Sequence, residues 1–288
     1  MKRGLVLAGL VGLGVVVSLA TESRARQNVA EIAQVKDNLY VITGGGGNTA
    51  AFVTLNGVVV VDTKLAGWGQ AILDKIRSVT DKPVTTIINT HTHGDHVGSN
   101  AEFAPSVDIV AHANTKANMQ KMDAFEGDNA AFLPKRTYTD RLSLGEGPDR
   151  VDLYYFGVGH TSGDSIIVFP ALATAHTGDL FPGPQAPLLD TNNGGSGVAY
   201  PETIGRVVSG LSGVSTIIPG HSGVTTWQAL VDFRDFNAEF LAAVRTAQQA
   251  GKTVEQAAAE LQLSPKFRDY NMRRAAANVG VIYGELRD

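Results

Sequence analysis

The segment His91-Thr92-His93-Gly94-Asp95-His96 sets the tightest limit on what this chain can become. It places three imidazoles and a carboxylate in six residues, directly after the run Thr86-Ile87-Ile88-Asn89-Thr90. A short apolar run of this kind reads as a buried strand. In extended backbone, residues two apart point to the same side, so His91 and His93 can face one point in space. Gly94 lets the chain turn sharply and direct Asp95 and His96 toward a second point. Neutral imidazole and carboxylate are the donors that a borderline cation such as Zn²⁺ takes. The fold must end a strand at this loop and bring further donors to meet it.

Three later segments share that arrangement, an apolar run followed by a glycine-containing loop and a metal-binding residue. They are Gly157-Val158-Gly159-His160, His176-Thr177-Gly178-Asp179 and Pro219-Gly220-His221. Loops leaving one edge of a sheet lie close together, so the four can converge on one site. Five of the chain's seven histidines are metal-binding candidates in this set, a concentration that core packing does not explain. His112, after the strand-like residues 107–111, and His176, after residues 171–175, read as structural strand-end residues. With no cysteine in the chain, thiolate ligands, thiolate nucleophiles and disulfides are excluded, and any metal site must use His, Asp or Glu.

The rest of the chain is organised around these loops. Residues 39–42, 49–55 and 58–61 read as strands, with a two-residue turn at Asn56-Gly57. The four glycines at 44–47 read as a flexible hairpin tip. Asp62, directly after four valines, reads as a cap or as support for something at the sheet end. Residues 67–80 have helical spacing, and 113–122 read as helix. Residues 123–150 read as a long loop with one short strand. Beta order resumes at 151–156 and 165–169, and residues 180–197 form a loop. Helices are expected at 201–211, 226–249 and 271–287, with a capping box at Thr253 and Gln256 and an N-cap at Ser264 before Pro265. Lys64 and Arg136 are candidate cations for a substrate carboxylate, Asn192 and Asn193 are candidate carbonyl donors, and Trp68 and Trp227 read as packing residues.

The 288 residues carry 43% apolar and 18% charged side chains, which suits a globular chain with a sizeable core. A net charge of −4 leaves no electrostatic footprint for nucleic acid, so the expected partner is a small-molecule substrate. Lys2 and Arg3 precede an uncharged run over residues 4–21, with small residues at Ser18 and Ala20. This reads as a signal peptide over residues 1–20, with a second cleavage candidate near residue 25, and hence as export to the periplasm or beyond. The alternative is an uncleaved N-terminal membrane anchor, against which stand four glycines in the run. Nothing in the pattern speaks to oligomeric state.

The ordered set His91, His93, Asp95, His96, His160, Asp179 and His221 resembles the metallo-β-lactamase superfamily, and Asp62 matches the acidic residue that family carries after its second long strand. The resemblance spans residues 38–245. It implies an α/β fold, a four-layer αβ/βα sandwich of two mixed sheets with outer helices. The expected domain runs over 29–250, with a helical extension at 251–288 packed on it. The resemblance also implies two zinc ions per chain. His91, His93 and His160 would hold the first, Asp95, His96 and His221 the second, and Asp179 would bridge them. A hydroxide shared by the ions would attack an acyl bond, with Asp95 as the catalytic residue that orients it. Many true β-lactamases of this fold carry Cys or Ser at the position of Asp179. The aspartate matches instead the thioesterases of the glyoxalase II kind and the lactonases. Three alternatives stand: a β-lactamase proper, a persulfide dioxygenase-like enzyme with one iron on His91, His160 and Asp179, and a non-catalytic metal-binding protein.

Overall fold

The computed structural model describes residues 29–287, so the expected signal segment lies outside the described residues. The first sheet has seven strands in sequence order: β1 (Glu31–Lys36), β2 (Leu39–Thr43), β3 (Thr49–Val53), β4 (Val58–Val61), β5 (Val84–Asn89), β6 (Asp108–His112) and β7 (Arg136–Tyr138). Strands β1 to β4 form an antiparallel meander, and β4 to β7 run parallel. Parallel neighbours need crossovers, and α1 (Gly69–Arg77) supplies the one between β4 and β5. The short α2 (Gly94–Val97) lies between β5 and β6, and α3 (Ala113–Met119) between β6 and β7.

The second sheet comprises β8 (Arg141–Leu144), β9 (Val151–Tyr155), β10 (Ser165–Phe169), β11 (Thr174–Gly178), β12 (Thr216–Pro219) and β13 (Thr225–Thr226), in the order β13-β12-β11-β10-β9-β8. Only β11 and β12 pair in parallel, and α4 (Tyr200–Gly210) lies in their crossover. The long α5 (Trp227–Gln249), α6 (Val254–Ala259) and α7 (Ala275–Glu285) follow.

Alternation along the strands sorts the apolar residues into layers. Leu39, Val41, Phe52, Val59 and Val61 meet Leu153, Ile167, Phe169 and Ile218 between the sheets. Phe52 and Phe169 touch across that interface with ring centroids 5.1 Å apart. The other face of the first sheet, through Ile42, Val58, Val60 and Ile87, packs on Ile72 and Ile76 of α1. The other face of the second sheet packs on α4 to α7 through Phe233, Phe236, Phe240 and Val244 of α5. The architecture is the expected four-layer sandwich.

Five expectations change in detail. The hairpin turn centres on Leu55-Asn56, because Thr54 donates through both N–H and hydroxyl to Gly57 O, each at 2.8 Å. Gly57 is needed for close approach, since a Cβ there would meet Thr85 Cγ2 at 2.4 Å. Residues 123–150 hold two strands, β7 and β8, rather than one. The strand placed at 171–175 starts later. Pro170–Leu172 form a 3-10 turn, Ala173 is left-handed at φ +46°, and His176 lies inside β11. Ser264 caps only a single 3-10 turn, Pro265–Phe267. The last helix begins at Ala275 because the backbone of Asn271 is already engaged by Pro184 and Ala186. The capping box at Thr253 and Gln256 is present.

Candidate metal centre

The seven expected residues leave the ends of β5, β10's preceding loop, β11 and β12, and the sandwich brings them to one edge. Their donor atoms form two groups: His91, His93, His160 and Asp179 in one, and Asp95, His96 and His221 in the other, all atoms of a group lying within 4.8 Å of one another. Asp179 reaches across, with Oδ1 3.4 Å from His96 Nε2, Oδ2 3.2 Å from His221 Nε2 and Oδ2 3.7 Å from His160 Nε2.

Hydrogen bonds on the outer side of each ring decide which nitrogen faces inward. Leu188 O, 2.7 Å from His160 Nδ1, can only accept, so Nδ1 carries the proton. The Asp190 carboxylate does the same to His93 Nε2 at 2.7 Å, and Asp62 to His96 Nδ1 at 2.7 Å. The inward atoms are then lone pairs. Yet His160 Nε2 and His93 Nδ1 lie 2.9 Å apart, and His96 Nε2 and His221 Nε2 lie 3.3 Å apart. His91 Nε2 and Asp179 Oδ1 are buried with no hydrogen-bond partner. Converging lone pairs and orphaned buried acceptors are costly unless a cation lies among them. Tetrahedral donors at about 2.0 Å from a zinc ion stand about 3.3 Å apart, the spacing these atoms approach. The donor set therefore fits a divalent metal, and it is a metal-binding His/Asp cluster.

Burial tunes these groups. Burial lowers the His91 imidazole well below its usual range, and it lowers His160 to about 4 against the pull of Asp179. Both are neutral and able to donate a lone pair. Burial alone would lower His96 too, but Asp179 and Asp62 outweigh it and raise that ring well above the ordinary value, so a cation at this site would take the place of its Nε2 proton. Burial would raise Asp179, but His96, His221 and His160 hold its carboxyl well below the usual range.

The local chain is shaped to hold this arrangement. Asp62 and Lys64 are both left-handed, at φ +62° and +64°, a conformation non-glycine residues adopt at a cost of roughly 1–2 kcal/mol each. The turn aims Asp62 at Thr90 N (2.8 Å), Thr90 Oγ1 (2.7 Å) and His96, the supporting role expected of it. It also sends Lys64 inward. The lysine is fully buried, with Nζ donating to Ile42 O at 2.8 Å and Gly47 O at 2.7 Å. Burial lowers it to about 8 despite Asp62 and Asp95. Lys64 clamps the glycine loop from beneath and offers nothing to a substrate carboxylate. The loop itself is no free hairpin tip. A Cβ on Gly46 would strike Asp95 Cβ at 2.6 Å, and one on Gly47 the His96 ring at 2.2 Å. Glycine at 46 and 47 lets backbone lie directly on the centre. On the other side, a Cβ on Gly220 would fall 2.0 Å from Asp179 Oδ1.

The remaining candidates have other work. Arg136 is half-exposed on β7 and pairs with Asp108. Asn193 supports Asp190, with Nδ2 donating to Oδ2 at 2.6 Å, so its amide is not free for a substrate carbonyl. His112 stacks on Tyr155 at 4.0 Å and donates to Thr139 O. His176 bonds Asn48 O at 3.1 Å, and Asn48 Nδ2 donates to Pro219 O and Ser222 O on either side of His221. Both histidines are structural, as read. Trp68 lies under the glycine loop against Gly45, and Trp227 packs at the rim of the helical core. Sequence reasoning missed Asp190. Its one signal was a lone carboxylate in a loop with no charged residue from 180 to 189.

Comparison with known proteins agrees. The chain is 32% identical over 158 residues to the 2,4-dinitroanisole O-demethylase subunit alpha of Nocardioides sp., covering 52% of this chain but only 46% of that protein. It is 32% identical over 188 residues to the metallo-beta-lactamase type 2 of Elizabethkingia meningoseptica, covering 59% of this chain and 67% of that one. In structure it resembles the sec-alkylsulfatase Pisa1 from Pseudomonas sp., with TM-score 0.74, 16% identity, and coverage of 89% of this chain and half (50%) of that one. That last likeness speaks to the fold. Residues 42–240, a span that contains all seven donor residues, match the metallo-beta-lactamase superfamily, and the chain belongs to that superfamily.

Proposed function

We propose that this protein is an exported hydrolase that holds two zinc ions and cleaves an acyl bond, an ester, lactone, thioester or lactam, in a small molecule. The observation that carries the reading is the single carboxylate, Asp179, set between two groups of inward-facing imidazole lone pairs. His91, His93 and His160 would hold one ion, Asp95, His96 and His221 the other, and Asp179 both. Bound there, a pair of divalent ions supplies Lewis-acid polarisation of a carbonyl and lowers the pKa of a water toward neutrality.

The chain's own residues do the rest. Asp95 is the carboxylate most open to solvent, its side chain 30% exposed, with Oδ2 3.4 Å from His221 Nε2. It is the group placed to accept a proton from the attacking water and return it to the leaving atom. Asp179 stays ionised, and Asp190, Asp62 and Leu188 O keep three rings in the tautomers that aim lone pairs inward. Gly46 and Gly47 lay backbone directly against Asp95 and His96 and so help fix those two donors. The aspartate at 179 supports the thioesterase and lactonase side of the family. The identity to the Elizabethkingia β-lactamase favours lactam hydrolysis as the second reading. Export rests on Lys2, Arg3 and the uncharged run after them, and an acidic net charge of −4 supports a small-molecule substrate over nucleic acid.

The test is a panel of lactone, thioester, lactam and phosphodiester substrates with the zinc-loaded protein and its Asp95→Ala variant. Turnover of an acyl substrate that Asp95→Ala abolishes is expected. Full activity in that variant, or one iron per chain in the protein as purified with oxygen uptake on a persulfide, contradicts the reading.

A further inference from the structure

The loops around the centre say something about the substrate itself. They are residues 44–48, 62–68, 90–99, 157–164, 179–199 and 219–226, and together they hold one lysine and no arginine. That lysine is Lys64, which is fully buried on two backbone carbonyls. Basic side chains of adjoining segments include Arg206, beside Gly157 and paired with Glu202, Lys116 on α3, Lys121, tied to Asn118 Oδ1 at 3.1 Å, and Arg273 and Arg274, just beyond the bridge between Asn271 and Gln185. The charges the loops do present beside the donors are carboxylates, Asp95 at 30% and Asp190 at 15% side-chain exposure.

Apolar side chains are exposed on the same loops. Among the described residues five large apolar side chains are exposed, and Leu65, Leu188 and Val224 lie on these loops. Each loop is tied to the centre. Leu65 N donates to Gly45 O at 2.9 Å, Leu188 O accepts from His160, and Val224 is three residues beyond His221. From Ser222 a cleft of about 260 Å³ extends along Phe181, Pro184, Val224, Ala229 and Tyr270, with no charged residue in its wall. Single exposed apolar residues are ordinary, but an uncharged, largely apolar cleft beside a donor-bearing loop is what ligand pockets present.

We propose that the substrate is a neutral molecule with an apolar chain or ring, and that a carboxylate away from the scissile bond is selected against. Such a carboxylate would lose water without gaining a cationic partner, and would approach Asp95 and Asp190. The apolar part packs on Leu65, Leu188 and Val224 and runs into the cleft beyond Ser222. This assignment rests on the acyl-hydrolase reading and narrows it away from substrates, such as glutathione thioesters, that carry remote carboxylates.

The experiment uses two esters of equal chain length, p-nitrophenyl octanoate and the mono-p-nitrophenyl ester of suberate, which differ by a terminal carboxylate. The zinc-loaded protein should favour the octanoate in kcat/KM by about ten- to a hundredfold, the loss expected for a carboxylate desolvated without a partner. Val224→Lys places a cation at the cleft and should raise kcat/KM for the suberate ester while lowering it for the octanoate. Calorimetric titration with octanamide and with suberic acid monoamide reads the same preference without turnover. If octanamide binds more tightly but neither ester is cleaved, the substrate preference stands and the hydrolase reading falls. Equal handling of the two esters, or preference for the suberate, overturns the preference. Failure to bind either amide or cleave either ester overturns both.

Discussion

The donor edge of the sandwich and the helical face of its second sheet are built on opposite rules. Under α5 the chain buries rings against rings. Phe236 lies 4.8 Å from Tyr270, 5.4 Å from Phe267 and 5.9 Å from Phe240, centroid to centroid. At the donor edge it buries imidazoles, carboxylates and a lysine, holds Asp62 and Lys64 in left-handed backbone, and packs glycines on the ligands. The first region lowers the free energy of the fold by removing apolar area from water, at roughly 25 cal/mol per Å². The second region costs stability through desolvation and strain, and is held by the first. A fold with one stabilising face and one costly edge should respond to mutation in two separable ways.

The largest effect is expected in the stabilising face. Phe236→Ala empties a ring-lined site and should lower unfolding free energy by about 3–5 kcal/mol. Activity per folded molecule should be unchanged, measured by denaturant titration beside active-site-normalised kinetics. A loss of specific activity matching the loss of stability would merge the two regions.

Next comes the cost of Lys64. Its usual pKa of 10.5 falls to about 8 on folding. Between those pH values the unfolded chain holds the extra proton, so stability rises with pH across that window, by about 3 kcal/mol in total, and the cost is fully present below it. Lys64→Met removes that rise, although it leaves Ile42 O and Gly47 O without their partner. The difference between wild type and variant, followed by urea denaturation from pH 7 to 10.5, should therefore slope upward. A flat difference would show that the lysine is solvated.

At the edge itself, Gly220→Ala pushes a methyl into Asp179. Displacing a group of the reacting site by about 1 Å costs on the order of 10²-fold in rate. The melting temperature should move far less than in Phe236→Ala. The smallest effect belongs to Asp190→Asn, which keeps the shape but weakens the hold on His93 Nε2. Metal affinity should fall about 10–100-fold, read by competition with a chromophoric chelator, with the fold intact. Unchanged affinity would reduce Asp190 to a loop anchor for Asn193.

The same contrast explains what was legible in the sequence. Periodicity marked the strands and α5, because apolar burial leaves a pattern along the chain. The donors were legible because His91, His93, Asp95 and His96 are packed in one short segment and His160, Asp179 and His221 follow the same strand-end pattern. What stayed hidden is what tertiary contact decides. Four consecutive glycines look alike whether they swing free or lie on His96, and only the fold shows the latter. Lys64 looked like a cation for substrate until the left-handed turn at 62–64 sent it inward. Asp190 became visible only when a loop of the second sheet closed on a histidine of the first. His176 was misplaced because the strand boundaries lie three residues later than read, since the left-handed Ala173 has no distinct signature.

The central claim is that the seven donors make one centre with two metal positions. Elemental analysis of the zinc-reconstituted protein, with Asp95→Ala and His221→Ala alongside, tests it most directly. Two zinc ions per chain in the wild type and one in each variant is the predicted result. One ion per chain in all three would contradict it.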